Sequence, residues 1–385
     1  MYVNTKNIPI YEIDQNVKWV EEDYFDKFKD INKRRILTQQ LFNFLDVLKS
    51  VEGKTVLITG GTGSLGRALT KRLLELNAKT VRIFSRNESK QIEMESDFNE
   101  KRLRFFVGDV RDSERLFSAL EDVDIVFHAA ALKHVPKIEY NPFEAIKTNV
   151  IGSQNVIDNS LRQNVKKVIC IGTDKAVSPL NTYGATKLLM EKLFVSANNY
   201  LNREKYTTTF YAVRYGNVLG SSGSVIPKFI QQIKSNKTIN ITDPAMTRFS
   251  ITMEDALDLI LDTVEIAKGS EIFIPKLKAY NIMDVKSALF DLLKEAKVET
   301  VGIRPGEKLH ETLINEDEMR YSWKINDVFM IANPHYELFN DANIEMNYQN
   351  ITKLTDLTTY SSDKVEKLTI DELKIIIKNS GLIED

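Results

Sequence analysis

The chain has 385 residues, with 52 Lys and Arg against 54 Asp and Glu, for a formal net charge of −2. So even a balance excludes a polyanion-binding design and argues against a nucleic-acid partner, while a 43% hydrophobic content is ample for one large α/β domain or two domains. The single cysteine, Cys170, sits in an apolar run and reads as a buried thiol; it excludes an intrachain disulfide framework, and the four histidines show no metal-ligand spacing.

Residues 1–50 mix charge with aromatics, and Ile36, Leu37, Leu41, Phe44, Leu45 and Leu48 recur at helical spacing. They predict a helical N-terminal extension, packed on the main domain or on a neighbouring subunit. The start of the chain has no cationic stretch followed by an apolar core, so no signal peptide is expected. No apolar run approaches the ~20 residues that span a bilayer. The expectation is a soluble cytoplasmic protein.

Lys54–Thr59 is a short β-branched run suited to a buried parallel strand. It enters Gly60, Gly61, Gly63 and Gly66, and then a helix with Leu65, Ala68, Leu69 and Leu73 on one face. Strand, glycine turn and helix in this order form the context of a dinucleotide-binding fingerprint. One glycine turns the chain, one admits the pyrophosphate and one lets helix and strand pack closely. The helix N-terminus presents N–H groups to phosphate. Gly60, Thr62, Gly63, Ser64, Leu65 and Gly66 are therefore candidate cofactor contacts.

Thr80–Phe84 is the second strand. Where an NAD site places a carboxylate for the ribose hydroxyls, this chain has Ser85, Arg86 and Asn87, with Lys90 beyond. A guanidinium binds a 2′-phosphate that a carboxylate would repel, so NADP is predicted over NAD. Otherwise Arg86 is solvated, or stacks on adenine without choosing. Leu103–Val107 is the third strand; after it, Asp109 and Val110 are placed against the adenine, or Asp109 caps the helix near Ser113. Asp124–Phe127 is the fourth. Ala129, Ala130 and Ala131 follow it, small enough for a flat cofactor to lie on the backbone, and Lys133 and His134 leave the ligand-binding edge of the sheet.

Asn141-Pro142 reads as a cap with proline at the first helical position, opening a helix to about Arg162. Asn149 lies in its middle, where a polar side chain bridges elements or holds water. Lys167–Ile171 is the fifth strand, and Thr173-Asp174-Lys175 leaves its tip. Tyr183 and Lys187 follow at i and i+4, on one helix face. A phenol is a weak base, and a neighbouring ammonium lowers its pKa. Thr207–Val213 is the sixth strand, leading to a polar, glycine-rich loop with Asn217. Arg248 and Arg304, with Glu307, stand in short irregular segments suited to phosphate binding, or are surface charge.

The predicted fold is α/β, a Rossmann-type doubly wound parallel sheet with a smaller, discontinuous substrate-binding lobe. Residues 51–217 form the nucleotide domain, to which segments near 250–275 return, and 218–334 form most of the lobe, with helices near 253–267 and 282–294. Residues 335–385 form a C-terminal extension whose last helix opens on the capping box Thr369–Glu372.

These motifs resemble the extended short-chain dehydrogenase/reductase superfamily and, within it, the soluble UDP-N-acetylglucosamine 4,6-dehydratases. The resemblance covers about residues 53–334 and rests on GGTGSLG, GDVRD, HAAALKHVP, TNVIGSQNV, TDKAVSPLNTYGATK, RYGNVLGSSGSVIP, DPAMTRF and GIRPGEKLHE. Related dTDP-glucose dehydratases have Asp-Glu where this chain has Asp174-Lys175. Longer, membrane-anchored relatives often carry methionine at the position of Tyr183. The resemblance implies tightly bound NADP that is recycled in each turnover. It implies that Tyr183 takes the O4 proton, that Lys187 tunes Tyr183 and holds the nicotinamide ribose, that Lys175 removes the C5 proton, and that Asp174 protonates the departing C6 hydroxyl. Thr173 would position the sugar. Lys133, His134, Asn217, Arg248, Arg304 and Glu307 would contact the UDP-sugar, and a homodimer or hexamer is implied. A UDP-sugar 4-epimerase shares Tyr183 and Lys187 without needing Asp174-Lys175; a non-catalytic NADP sensor keeps the glycine loop but can lose the tyrosine and lysine, both of which this chain keeps.

Overall fold

The computed structural model describes residues 47–202, 204–220, 224–335, 348 and 350–383. The helical extension expected over residues 1–50 thus lies almost wholly outside the described residues, as do Ser221, Ser222 and Gly223 of the glycine-rich loop. Two compact units are delimited, Met1–Lys49 and Ser50–Asp385, and every element below belongs to the second.

Six parallel strands form the centre, buried except at the part-exposed edge strand β3: β1 (Thr55–Thr59), β2 (Thr80–Ser85), β3 (Leu103–Val107), β4 (Ile125–His128), β5 (Lys167–Ile171) and β6 (Thr209–Val213). They lie in the order β3-β2-β1-β4-β5-β6, so the winding reverses between β1 and β4. That reversal opens a crevice at the carboxyl ends of the strands, where open α/β sheets bind ligands. The apolar runs of β1, β4, β5 and β6 are nearly continuous because these strands are covered on both faces. Leu57, Val126, Val168, Cys170, Phe210 and Ala212 belong to one core cluster, and burial pushes the Cys170 thiol up to about 12.

The crossovers include α1 (Ser64–Glu75), α2 (Glu88–Phe98), α3 (Ser113–Ala119), α4 (Gly152–Arg162) and α5 (Thr182–Ala197). The helix expected to run unbroken from Pro142 is interrupted by a π-turn at Ile146–Ile151. Asn141 does not cap it: its Nδ2 donates to the Lys137 carbonyl instead.

The later chain serves two bodies. β10 (Ile272–Pro275) joins β6 in parallel, and β15 (Val328–Ile331), β14 (Ser322–Ile325) and β16 (Ile351–Lys353) extend that edge antiparallel. α7 (Met253–Ile266) packs on α1 and β6. A second core gathers α6 (Val225–Lys234), α8 (Ile282–Leu292) and α9 (Ile370–Asn379), through Phe229, Ile233, Val285, Leu289, Leu373 and Ile377. α8 therefore packs within the smaller body, not against the main sheet. α9 begins on the expected capping box: Thr369 and Glu372 exchange side chain-to-backbone hydrogen bonds. No described helix is long and apolar enough to cross a membrane.

Candidate active site

A cleft of about 1190 Å³ runs from the glycine turn to the second core. That exceeds the several hundred Å³ of an ordinary small-molecule pocket and suits two ligands end to end. All the sequence candidates line it except Asp174: the turn Gly60–Gly66, Arg86, Lys90, Asp109, Val110, Ala129–Ala131, Lys133, His134, Thr173, Lys175, Tyr183, Lys187, Asn217, Arg248, Arg304 and Glu307.

The turn has the shape a dinucleotide requires. Gly60 adopts φ +69°, and a Cβ there would stand 2.9 Å from the Ala130 Cα. At Gly66 a Cβ would fall 2.4 Å from the Gly61 carbonyl oxygen, so the helix touches the glycine turn backbone to backbone. The N-terminus of α1 has no side-chain cap and no acidic residue in its first turn, which leaves its N–H groups and partial positive charge for an anion. At the adenine end Arg86 is half-exposed and 3.8 Å from Asp109 Oδ2. Asp109 does not cap α3; Asp112 does. Its carboxylate is held by the Arg111 backbone and guanidinium, so it serves Arg111 at least as much as any adenine.

Below the turn, β4 ends on His128, which is fully buried. Its Nδ1 lies 2.7 Å from Thr59 Oγ1 and its Nε2 3.0 Å from Ser153 Oγ. Asn149 answers for its polar side chain in the middle of the π-turn. It accepts from the Leu132 N–H, and donates to the Leu132 carbonyl and to Thr186 Oγ1. The loop carrying Lys133 and His134 is thereby tied to α5, the helix of Tyr183 and Lys187.

Around the reactive candidates the geometry departs from expectation in three ways. First, Lys187 is buried and donates to the Ile171 carbonyl at 2.6 Å; burial lowers its pKa. The cation acting on Tyr183 is Lys175. Burial raises the phenol pKa, and Lys175 and a hydrogen bond with Thr173 oppose the shift without reversing it. In the ligand-free protein, then, Lys187 does not lower the phenol; the expectation also drew on the positive nicotinamide of a bound cofactor. Second, Asp174 is fully buried and lies behind the cleft wall. Its Oδ1 accepts from Thr173 Oγ1 and Lys175 Nζ, each at 2.9 Å, and its Oδ2 has no partner. Third, Asn217 Oδ1 accepts from Lys175 Nζ at 3.0 Å, which ties Asn217 to Lys175.

Glu311 was missed. It is buried, lines the cleft, and stands 3.7 Å from both Lys175 Nζ and Arg248 Nε. Burial pushes the Lys175 ammonium down, but Asp174 and Glu311 outweigh burial and its pKa ends above the ordinary lysine value. Arg248 is fixed by the carbonyls of Thr247, Lys308 and Leu309. Arg304 and Glu307 stand on the exposed side, 3.8 Å apart. Among the described residues no cluster of His, Cys, Asp and Glu suits a metal ion.

Comparison with known proteins places this arrangement. A family described as polysaccharide biosynthesis protein matches residues 56–333. A Campylobacter jejuni protein named UDP-N-acetylglucosamine 4,6-dehydratase (inverting) is 47% identical over 81% of this chain and 93% of its own length. A Rickettsia bellii protein named UDP-glucose 4-epimerase is 40% identical over 86% of this chain and 97% of its own. The solved structure of Pen from Bacillus thuringiensis is 40% identical, with a TM-score of 0.78, covering 86% of this chain and 99% of that one.

Proposed function

Because the chain belongs to the polysaccharide biosynthesis protein family, we propose that it is a UDP-N-acetylglucosamine 4,6-dehydratase that works with bound NADP. The observation that carries the reading is the Asp174–Lys175 ion pair beside Tyr183. An epimerase needs only a phenol at O4; elimination of water also needs a base at C5 and an acid at C6.

The glycine turn, the N-terminus of α1 and Ala129–Ala131 would hold the dinucleotide, with Arg86 and Lys90 at the 2′-phosphate. Bound there, the nicotinamide supplies a reversible store for one hydride, taken from C4 and returned to C6. Tyr183 accepts the O4 proton as its phenolate, the form that a positive nicotinamide beside it would favour over the neutral phenol of the ligand-free protein, and the C4 ketone so formed makes the C5 proton acidic. The Asp174–Lys175 pair is one proton shift from the states the elimination needs. Passing a proton from Nζ to Oδ1 along the 2.9 Å hydrogen bond gives a neutral amine and a neutral carboxyl. The amine then takes the C5 proton, the C5–H electrons form the C5–C6 double bond, and the C6–O bond breaks towards oxygen. The carboxyl proton completes the departing water, the pair is an ammonium and a carboxylate again, and the ammonium gives its proton back to C5 when hydride reaches C6. Since Asp174 lies behind the wall, Thr173, whose hydroxyl touches both Asp174 and the cleft, is the route for that proton.

Proton NMR with UDP-N-acetylglucosamine in deuterated water tests the reading. A new C6 methyl signal with a C4 ketone or its hydrate is expected, and the ring couplings of that product read the C5 configuration. A product that keeps its C6 hydroxyl and changes only at C4 would replace the reading with the 4-epimerase one, which the Rickettsia relative keeps in view.

A further inference from the structure

We propose that Glu311 is a positioning residue that sets the base strength of Lys175, through a carboxylate held 3.7 Å from the Lys175 nitrogen by a clamp on its own backbone. The proposal rests on the dehydratase reading for its place in a reaction, but the interaction itself is a property of the ligand-free protein.

The clamp is specific. The Glu311 N–H donates to Ser362 Oγ at 2.9 Å, and the Ser362 N–H donates to the Glu311 carbonyl at 2.8 Å. Ser362 Oγ in turn pairs with Thr247 Oγ1, which also meets His310 Nδ1. Glu311 leads directly into β13 (Thr312–Ile314), which pairs with β17 (Tyr360–Ser361). Its backbone therefore cannot follow its side chain away from Lys175. On the carboxylate, Oε1 faces Lys175 and Arg248, while Oε2 is buried without a hydrogen-bond partner. A buried carboxylate oxygen without a partner is costly and needs a reason to be kept.

Arg248 does not use up the charge. Its two terminal nitrogens are committed to three carbonyls, so only Nε turns towards Glu311. The charged and titratable groups that face Lys175 are Asp174, Glu311 and Tyr183, with Lys308 and Tyr280 beyond them. Those that act on or pair with Glu311 are Lys175, Arg248 and Lys308. Tyr280 completes the wall, sensing Arg248 first and then Lys175 and Asp174.

The consequence for the reaction is a division of labour. Asp174 shares a hydrogen bond with Lys175 and exchanges a proton with it. Glu311, farther off and without such a bond, acts by charge alone. It stabilises the ammonium that forms when Lys175 takes the C5 proton, so it makes the amine a stronger base at the step that needs one. An opposite charge within about 4–6 Å commonly moves a pKa by about one to three units.

The test uses the full-length protein with Glu311→Gln, which keeps the shape, and Glu311→Asp, which keeps the charge but withdraws it. The first readout needs no substrate: acetylation of Lys175 by acetic anhydride at pH 9, followed by mass spectrometry, with the exposed Lys133 as internal reference. Glu311→Gln is expected to speed Lys175 acetylation about tenfold or more, Glu311→Asp to fall between it and the native protein, and Lys133 to be unaffected. The second readout is the pH profile of methyl formation. In Glu311→Gln the plateau of that profile falls while KM is unchanged. Unchanged Lys175 acetylation overturns the proposal, and so does a loss confined to KM. Absence of the methyl signal from the native protein overturns the dehydratase reading instead, and the acetylation ratio still decides whether Glu311 governs Lys175.

Discussion

His128 should make the fold acid-sensitive through a single buried proton. Ser153 Oγ donates to the Asn149 carbonyl at 2.6 Å, so towards His128 it can only accept, and Nε2 carries the hydrogen. Nδ1 is then the acceptor, and Thr59 Oγ1 donates to it while accepting from the Ala130 N–H. A second ring proton would break this one-way chain under the alanine floor. Burial, with Lys187 adding to it, lowers the His128 pKa from 6.5 to about 3. The folded state thus binds fewer protons than the unfolded state between these values, and stability must fall as pH drops through that window. At pH 5 the histidine contributes about 2 kcal/mol less than at pH 8, and near pH 3 about 4 kcal/mol less. Urea unfolding at pH 8 and pH 5, on native protein and His128→Phe, isolates it. The variant is less stable at both pH values but should lose about 2 kcal/mol less on acidification. Equal losses, or an imidazole resonance of His128 that titrates near 6.5, would refute the reasoning.

Other consequences are open to direct measurement. Asp262 has the opposite sign: burial, with Asp258 beside it, raises its carboxyl from 3.8 to about 7 despite Arg72. Its neutral form stabilises the fold at low pH, and that contribution fades as pH rises from about 4 to 7. Asp262→Asn should abolish the fade in urea titrations at pH 4.5 and 7.5; an unchanged difference would count against it. Arg214 is fully buried between Glu191 and Glu318. Removing one partner strands a charge, so Glu191→Ala should cost about 3–5 kcal/mol in urea unfolding, and a cost under 1 kcal/mol would mean the triad carries little. Arg86→Ala should weaken NADP about ten- to a hundredfold and leave NAD nearly unchanged by calorimetry; equal weakening of both would make Arg86 an adenine contact. Tyr183→Phe should cut turnover about a hundred- to ten-thousandfold with cofactor still bound, and near-native turnover would remove it from the mechanism.

The parallel half of the fold was legible because burial on both faces writes itself as unbroken apolar runs. Lys167–Ile171 matches its strand residue for residue; the part-exposed edge strand Leu103–Val107 does so through its β-favouring Phe105, Phe106 and Val107 instead. The antiparallel edge was not: β14 and β15 carry Trp323, Lys324 and Met330 in short runs, and β14 also pairs with Lys353 far along the chain. Within the cleft, the glycine turn and the Tyr183–Lys187 pair were readable because their spacing is local. Glu311 closes a motif that was read for its arginine, but its neighbours Lys175, Arg248 and Ser362 come from three other segments. The direction of the Tyr183 shift was also hidden, because it depends on how completely the ring is buried.

The two bodies of the chain differ in how they are cut from it. Thr55 to Val213 supply all six central strands in one continuous run, whereas the second core waits for Leu373 and Ile377 near the very end. A chain emerging from the ribosome therefore completes its glycine turn long before the clamp between Glu311 and Ser362 can close. During that interval β6 is a bare sheet edge, open to mispairing until β10 arrives. If a dinucleotide binds as proposed, its seating on the finished half would lower that risk by mass action and act as a folding aid before any reaction.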